Sequence, residues 1–267
     1  VMRKVFLPIA LISFAASIPL SAVAANWQGP YAGAFVGGAF GSNHISSGAG
    51  TVTSTSYFAT TADVNAVNNA GSYSKNPDTA ILGVVAGHDW AREHLVFGVA
   101  VDYSAMPLNS SKKTNGLTYP DSTDIFAVST TISTNWLFTL RGRIGYQTVW
   151  RWPSLLYLTG GMAITQLKIN NSFSDRSSLA GNGSSQQSSN QIGWTGGAGL
   201  EVASCDHMTV NLEYLYIQVP SVNSSASITN TNAGFGIPAR SLTSNLSTSG
   251  QFHAGLLTIG INYRFDE

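Results

Sequence analysis

Charge is what this sequence has least of. Of its 267 residues, 13 are Lys or Arg and 13 are Asp or Glu, so charged residues make up 10%, against about 25% in an ordinary soluble domain. With no basic surplus there is nothing to neutralise a run of phosphates, which argues against a nucleic-acid binder. The scarcity of Lys and Glu argues against a coiled coil or long-helix protein. Zero net charge and 10% aromatic residues argue against a disordered chain. Cysteine is nearly absent, and the one thiol, Cys205, excludes an intrachain disulfide framework. Long hydrophobic runs are missing as well: after the first 25 residues no apolar run of about 18 residues occurs, so no helix is long enough to cross a bilayer. What stands in place of charge is Ser, Thr, Asn, Gln and 27 glycines.

Residues 1–25 read as a cleaved secretory leader. Arg3 and Lys4 precede an uncharged apolar stretch from Val5 to Leu20, and Ala22-Val23-Ala24 and Val23-Ala24-Ala25 both fit the small-residue cleavage rule. A membrane anchor is the weaker alternative, because the run is short and ends in a cleavage pattern rather than a stop-transfer flank. Residues 26–267 then form one domain.

That domain alternates between two kinds of text. Eight segments are apolar, aromatic and Gly-rich with period two: 30–41, 79–90, 95–104, 135–147, 155–169, 191–203, 208–219 and 251–265. They exceed the usual strand of about 5–6 residues and match the roughly 9–11 that a tilted strand needs to cross a bilayer. Between them, short connectors (91–94, 148–154, 204–207) strictly alternate with long ones (42–78, 105–134, 170–190, 220–250). A soluble sandwich has no reason to put every long loop at one end. An outer-membrane barrel does, with an even strand count, short periplasmic turns and long extracellular loops. The expected fold is therefore all-β, an eight-stranded antiparallel up-and-down transmembrane barrel.

Successive strand residues face opposite ways. In 135–147 the residues Trp136, Phe138, Leu140, Ile144 and Tyr146 oppose Thr139, Arg141, Arg143 and Gln147. A lipocalin-like barrel would turn the apolar face inward. Three features place it outward instead. Aromatics cluster at the ends of the apolar faces (Tyr103, Trp136, Tyr146, Tyr216, Tyr263, Phe265), as in interfacial girdles. The polar faces are rich in small residues, which suits a narrow lumen. Their few charges nearly match, with Asp102, Glu201 and Glu213 against Arg141, Arg143 and Arg264, as an internal ion network requires. The inward face of the first strand, with Gly33, Gly37, Gly38 and Gly41, is not assignable from its sequence.

The opening Asn26-Trp27-Gln28-Gly29-Pro30-Tyr31-Ala32-Gly33 resembles the W-x-G-x-Y-x-G start of the opacity/Omp25-Omp31-like outer-membrane barrels of Gram-negative bacteria. Gly83-Val84-Val85-Ala86-Gly87-His88-Asp89-Trp90 with Val96-Phe97-Gly98-Val99, then Tyr157-Leu158-Thr159-Gly160-Gly161, then Gly260-Ile261-Asn262-Tyr263-Arg264-Phe265 are similar to later strands of that family. The resemblance covers the strand text and none of the long loops. It implies an eight-stranded barrel in the cell outer membrane, with roles in envelope integrity, surface antigenicity, adhesion or weak porin activity. Its partners would be outer-membrane lipids and lipopolysaccharide, the barrel-assembly machinery and a host or surface ligand met through the loops. The family pattern ends on the aromatic, whereas Asp266 and Glu267 follow Phe265 here.

Outer-membrane barrels include hydrolases, which work through a nucleophile and a base. The candidates are His88-Asp89 and Cys205-Asp206-His207. Each lacks a nucleophile, base and orienter in one group, and two ligands are too few for structural zinc. His88 falls on the apolar face at a strand end, Asp206 supplies turn chemistry and Cys205 is a lone thiol. The expectation is no enzyme, no cofactor and no metal: a monomeric structural or surface barrel that presents variable loops. A narrow porin for small solutes and a lipid-modifying hydrolase are the alternatives. The Ser/Asn-rich loops, such as 182–190, have too little apolar area to offset their ordering entropy. Two stretches, 54–62 and 125–134, look ordered, and Lys112 and Lys113 are candidates to touch lipopolysaccharide phosphates.

Overall fold

The computed structural model describes residues 26–149, 152–177, 180–230 and 242–266. The expected leader, residues 1–25, lies outside them. The elements are β1 (Gly29–Gly48), α1 (Thr61–Gly71), β2 (Tyr73–Lys75), β3 (Asp78–Arg92), β4 (Leu95–Thr118), β5 (Ile125–Val149), β6 (Pro153–Asp175), β7 (Asn182–Cys205), β8 (Met208–Thr229) and β9 (Thr243–Arg264). Each long strand pairs antiparallel with the next, and β1 also pairs with β9 from Tyr31↔Arg264 to Gly48↔Ser247. Eight strands thus close a ring. The three-residue β2 adds to β1 at the outer end, the end away from the short turns.

The strands run far into the connectors. β4, β5 and β6 have 24, 25 and 23 residues, so the expected loops 105–134 and 170–190 are largely ladder, as are 220–229 and 243–250 of the last and 42–48 of the first. The expectation that 182–190 is structureless is corrected: it pairs with β6 from Ser174↔Asn182 to Gln166↔Asn190. The physical reason is a swap of faces. In β6 the outward residues change from Leu156, Leu158, Met162 and Ile164 to Gln166, Lys168, Asn170 and Ser172. The buried ones change from Tyr157 and Thr159 to Ala163, Leu167, Ile169 and Phe173. Alternation continues, but its polarity inverts, and Ser and Thr serve an outward strand face well.

Bulges mark the inversion. One extra residue enters β4 between Ala105 and Leu108, β5 between Ser133 and Leu137, and β8 between Val219 and Val222. Pro107 and Pro220 fall inside two of these irregularities, where a strand tolerates a missing N–H. Between Asn182 and Trp194 the β7–β8 ladder is interrupted, and Ser185 and Ser224 meet there through their hydroxyls at 3.1 Å.

The interior has three levels. At the end of the short turns it is polar and charged, with a small apolar cluster of Trp27, Val96, Leu155 and Tyr157 beside the charges. Next comes an apolar layer built from Ile45, Ile81, Met106, Leu108, Ile132, Leu137, Leu167, Ile169 and Ile217 among others. At the outer mouth Tyr57, Phe58, Val64, Val67 and Ala70 pack with Phe126, Val128, Phe173, Ile228 and Leu246 from strands around the ring. The last level is closed by α1, which lies over the mouth. Its start is capped by Thr60, whose hydroxyl accepts from the Asp63 N–H at 3.1 Å. Near its end Lys112 donates to the carbonyls of Asn69 and Ser72 at 3.3 and 2.8 Å. Lys112 is half-buried and Lys113 is exposed. The ordered piece expected at 54–62 is realised as the run into α1, and 125–134 extends β5.

Asp175 seals the rim beside α1. It accepts hydrogen bonds from the Tyr57 hydroxyl, from Tyr119 at 3.2 Å, from Ser177 at 3.0 Å and from the Gly181 N–H at 2.8 Å. Burial first, and then the neighbouring carboxylate, push both phenols above their ordinary range. An Asp at Val67 would bury an unpaired charge in this cap. Val67→Asp is expected to cost about 3–5 kcal/mol and to open residues 49–72 to limited proteolysis, read by mass spectrometry. An unchanged digestion pattern would show that the cap is not held by its apolar face.

Candidate functional site

The candidate site is the charged level of the lumen. Alternation fixes its composition: each strand offers every second side chain inward, and at this level those are Tyr31, Asp89, Asp102, Arg141, Arg143, Tyr157, Glu201, Glu213, Asn262 and Arg264. Arg143 donates from Nε to Asp89 at 2.7 Å, makes a second bond from Nη2 to the same carboxylate, and reaches Glu201 with Nη1 at 3.1 Å. Arg264 bridges the same two acids, at 3.0 Å to Asp89 and 3.1 Å to Glu201, and caps the Trp27 carbonyl at 3.1 Å. Thr209 and Asn262 complete Glu201 at 2.5 and 3.2 Å. One level further in, Arg141 joins Asp102 at 2.8 Å and Glu213 at 2.9 Å. Thr139 donates to Asp102 at 2.5 Å, and Tyr157 to Glu213 at 2.9 Å.

Taking these charges out of water is costly, and only full pairing offsets it. Aromatic faces add to the pairing. Arg143 lies between the rings of Tyr31 and Tyr157 at 4.6 and 5.2 Å, and Arg264 lies over Trp27 at 4.9 Å and Tyr31 at 5.2 Å. Two glycines make the room. A Cβ on Gly98 would overlap the Asp89 carboxylate, and one on Gly199 would overlap the Tyr157 ring.

All six charged residues expected in a lumen network lie in this cluster. Asp89 is a seventh member, which the sequence offers beside His88 as a catalytic pair. The pair does not exist: Asp89 points inward to two arginines, while His88 points outward against Trp90 with ring centroids 4.6 Å apart. Strand alternation carries that signal, since Leu82, Val84, His88 and Trp90 share the other face. Tyr31 is not legible because β1 is too glycine-rich for its faces to be told apart, and Trp27 stands just before the strand. Its inward row is Tyr31, Gly33, Phe35, Gly37 and Ala39. Cys205 is exposed in the last short turn, and His207 there pairs with Asp266 at 3.0 Å. No group of three or more His, Cys, Asp or Glu side chains that could hold a metal ion occurs among the described residues.

Outside this level the wall is apolar. Leu82, Leu140, Leu158, Leu212 and Ile259 are exposed, the first and third by 61% and 63%. The expected interfacial aromatics all face outward, in two tiers. Tyr103 stacks on Trp136 at 6.1 Å and Tyr216 meets Trp194 at 5.6 Å in one tier; Tyr146, Tyr263 and Phe265 stand in the other. Trp136 and Tyr146 are ten residues apart on β5. That is about 33 Å along a strand, or roughly 25 Å across a sheet tilted by about 40°, the height of an outer-membrane apolar band.

A closed ring with a greasy wall, aromatic tiers and a charged, side-chain-filled lumen defines a bacterial outer-membrane protein. The chain belongs to the outer membrane protein beta-barrel domain family, whose model matches residues 8–265, and within it to the Omp25–Omp31 type. It is 30% identical over 150 residues to the 25 kDa outer-membrane immunogenic protein of Brucella abortus biovar 1 (strain 9-941), covering 56% of this chain and 57% of that one. It is 29% identical over 157 residues to the 22 kDa outer membrane protein of Rhizobium leguminosarum bv. viciae, covering 57% and 60%. The match to the 31 kDa outer-membrane immunogenic protein of Brucella melitensis biotype 1 spans 199 residues at 27% identity, 73% of this chain and 70% of that one. The chain thus spans under two thirds of the length of the first two relatives. Among solved structures, Ail, the attachment invasion locus protein of Yersinia pestis, matches at 11% identity and TM-score 0.34, over 89% of this chain and 100% of that one. At that score the likeness says nothing of function. Its family places the protein in the outer membrane.

The network makes a stability prediction. Arg143→Met leaves Asp89 and Glu201 with Arg264 alone, and is expected to cost about 3–5 kcal/mol in denaturant unfolding from micelles, followed by tryptophan fluorescence. A loss below about 1 kcal/mol, the scale of solvated surface pairs, would show that water reaches these charges.

Proposed function

We propose that the chain is a non-enzymatic, membrane-spanning eight-stranded barrel whose work is structural and at the cell surface, with its rigid outer half as the displayed part. The observation that carries this reading is a bore filled at three successive levels: ion network, apolar layer and α1 cap. Eight strands leave an interior only just wide enough for side chains, and here they fill it. Strand length supports display. A membrane crossing needs about 9–11 residues, so a further dozen residues of β4, β5 and β6 stand beyond the lipid and carry the rim to which 49–72, 119–124, 176–177 and 180–181 belong. On this reading the leader directs residues 26–267 to the periplasm, the short turns stay there, and the rim faces outward. Outer-membrane lipids and lipopolysaccharide surround the apolar band, the barrel-assembly machinery inserts it, and the monomer meets a host or surface ligand through its rim. The relatives' description as immunogenic proteins accords with such exposure.

The narrow-porin alternative needs a water path through all three levels. The hydrolase alternative needs an acid–base pair, and His88 and Asp89 point opposite ways. Single-channel recording decides the first: the purified monomer in a planar bilayer is expected to give no steady conductance of general-porin size, which accompanies about 16–18 strands. Stable large openings would promote the porin reading to first place.

The outer wall gives a separate check on spanning. Leu140→Arg is expected to destabilise the folded protein in lipid by about 2–4 kcal/mol if residue 140 lies near the midplane, measured as unfolding in vesicles. A neutral effect would remove Leu140 from the hydrocarbon.

A further inference from the structure

The outer half carries its cations unevenly. Lys113 on β4 and Arg176, just past the end of β6, are both exposed, and among the described residues neither makes an ion pair. Both line an open trough of about 700 Å³ in the outward face of β4, β5 and β6, a size usual for a ligand site. Cross-strand pairing builds it. Lys113 is opposite Ser129, and Ser129 is opposite Ser172. One step further out Ala127 is opposite Ser174. These short side chains make a floor between two long cationic ones. The Arg176 N–H donates to the Ile125 carbonyl at 2.9 Å, which fixes where that side chain leaves the wall.

No carboxylate lines the trough. Asp175, next to Arg176 in the chain, turns to the bore, where Tyr57 and Tyr119 donate to it. Asp121 and Asp124 line a separate cavity beside Tyr57. At Ser129 and Ser172 the trough runs into a second hollow of about 320 Å³. There Thr131, Asn170, Ser184 and Gln186 present hydroxyls and amides without charge, both donors and acceptors, on strands about 4.8 Å apart. Two separated positive charges beside an uncharged polar run complement a chain that carries many hydroxyls and few anions.

Height narrows the choice further. Lys113 stands ten residues beyond Tyr103 on β4, about 33 Å along the strand and roughly 25 Å above the outer aromatic tier at a tilt of about 40°. Lipid headgroups fill only about 5–8 Å on each side of the hydrocarbon, so the trough stands clear of them. We propose that this trough is a binding site for an anionic oligosaccharide, with its phosphate or carboxylate groups on Lys113 and Arg176 and its hydroxyls on the Ser/Thr/Asn/Gln run. The proposal rests on the display reading for its place beyond the lipid; the binding itself does not depend on that reading.

The test therefore uses the full folded chain in zwitterionic micelles, where topology plays no part. Calorimetric titration compares four soluble probes: the phosphorylated core oligosaccharide of lipopolysaccharide freed of its acyl chains, tri-galacturonate, maltotriose and glycerol phosphate. At least one of the two anionic oligosaccharides is expected to bind, more weakly as salt rises because exposed charges are screened. Tighter binding of the core chain would name the envelope's own saccharide as the source, and tighter binding of tri-galacturonate a carboxylated glycan from outside. Maltotriose, which has no charge, and glycerol phosphate, which has no sugar chain, are expected to bind far more weakly. The double substitution Lys113→Ser with Arg176→Ser is expected to raise the dissociation constant about tenfold, the scale of two exposed ion pairs. Arg92→Ser, which removes an exposed cation at the opposite end of the barrel, is expected to leave it within about twofold. Ser172→Glu, which puts a carboxylate on the exposed floor, is expected to abolish binding. The site is overturned if neither anionic chain binds, if maltotriose or glycerol phosphate binds as well, or if the double variant binds like the parent chain. Any of these results would leave the display reading standing, since that reading is tested by surface accessibility.

Discussion

Everything in this molecule depends on the pairing of β1 with β9. A sheet in hydrocarbon has no water to satisfy its edges, and each unpaired N–H or C=O costs several kcal/mol there. The long β1–β9 ladder removes both edges at once. Closure in turn forces alternate side chains into a bore too narrow for solvent. The sequence must then fill that bore with groups that satisfy one another, and the small size of the ring explains its glycines, which admit Asp89 and the Tyr157 ring.

The scarcity of charge follows from the same constraint. A wall in contact with lipid carries none, so ionised groups at this level are confined to the lumen, where each needs a partner. Seven residues form the two connected groups described here, and their cations are all arginines, whose planar fork can reach two carboxylates at once. Arg143 and Arg264 both do so. Lysine, a point charge, appears among the described residues only in the outer half, at Lys75, Lys112, Lys113 and Lys168.

Above the bulges the solvent changes and the polarity of the faces changes with it. The wall becomes Ser, Thr, Asn, Gln and Lys, and the interior becomes aliphatic and aromatic, as in a soluble protein. The same continuous strands thus carry an apolar outer wall below and a polar outer wall above. The outer half therefore has an aliphatic and aromatic core of its own, closed by α1. The relatives of this family are known by their location and immunogenicity, and a sealed, stiff outer half accords with both.

Period two, the alternation of short and long connectors and the near-matched lumen charges were legible in the chain, because strand alternation and the cost of a buried charge are local rules. They gave the ring of eight strands, the outward aromatics and six members of the network. Asp89 was legible too, by the same alternation, but stood beside a histidine that drew attention to chemistry. The extent of the strands was not legible. Residues 182–190 are Ser, Gln, Asn and Gly and bury nothing by themselves; they are strand because β6 supplies a ladder beside them. Likewise α1 has few apolar residues, and only the ring's mouth gives Val64, Val67 and Ala70 a surface to cover. Which arginine serves two acids, and which two acids share one arginine, depends on distances across the bore that no single strand contains. Those were decided by closure, because closure alone brings side chains from β3, β5, β7 and β9 within hydrogen-bonding reach.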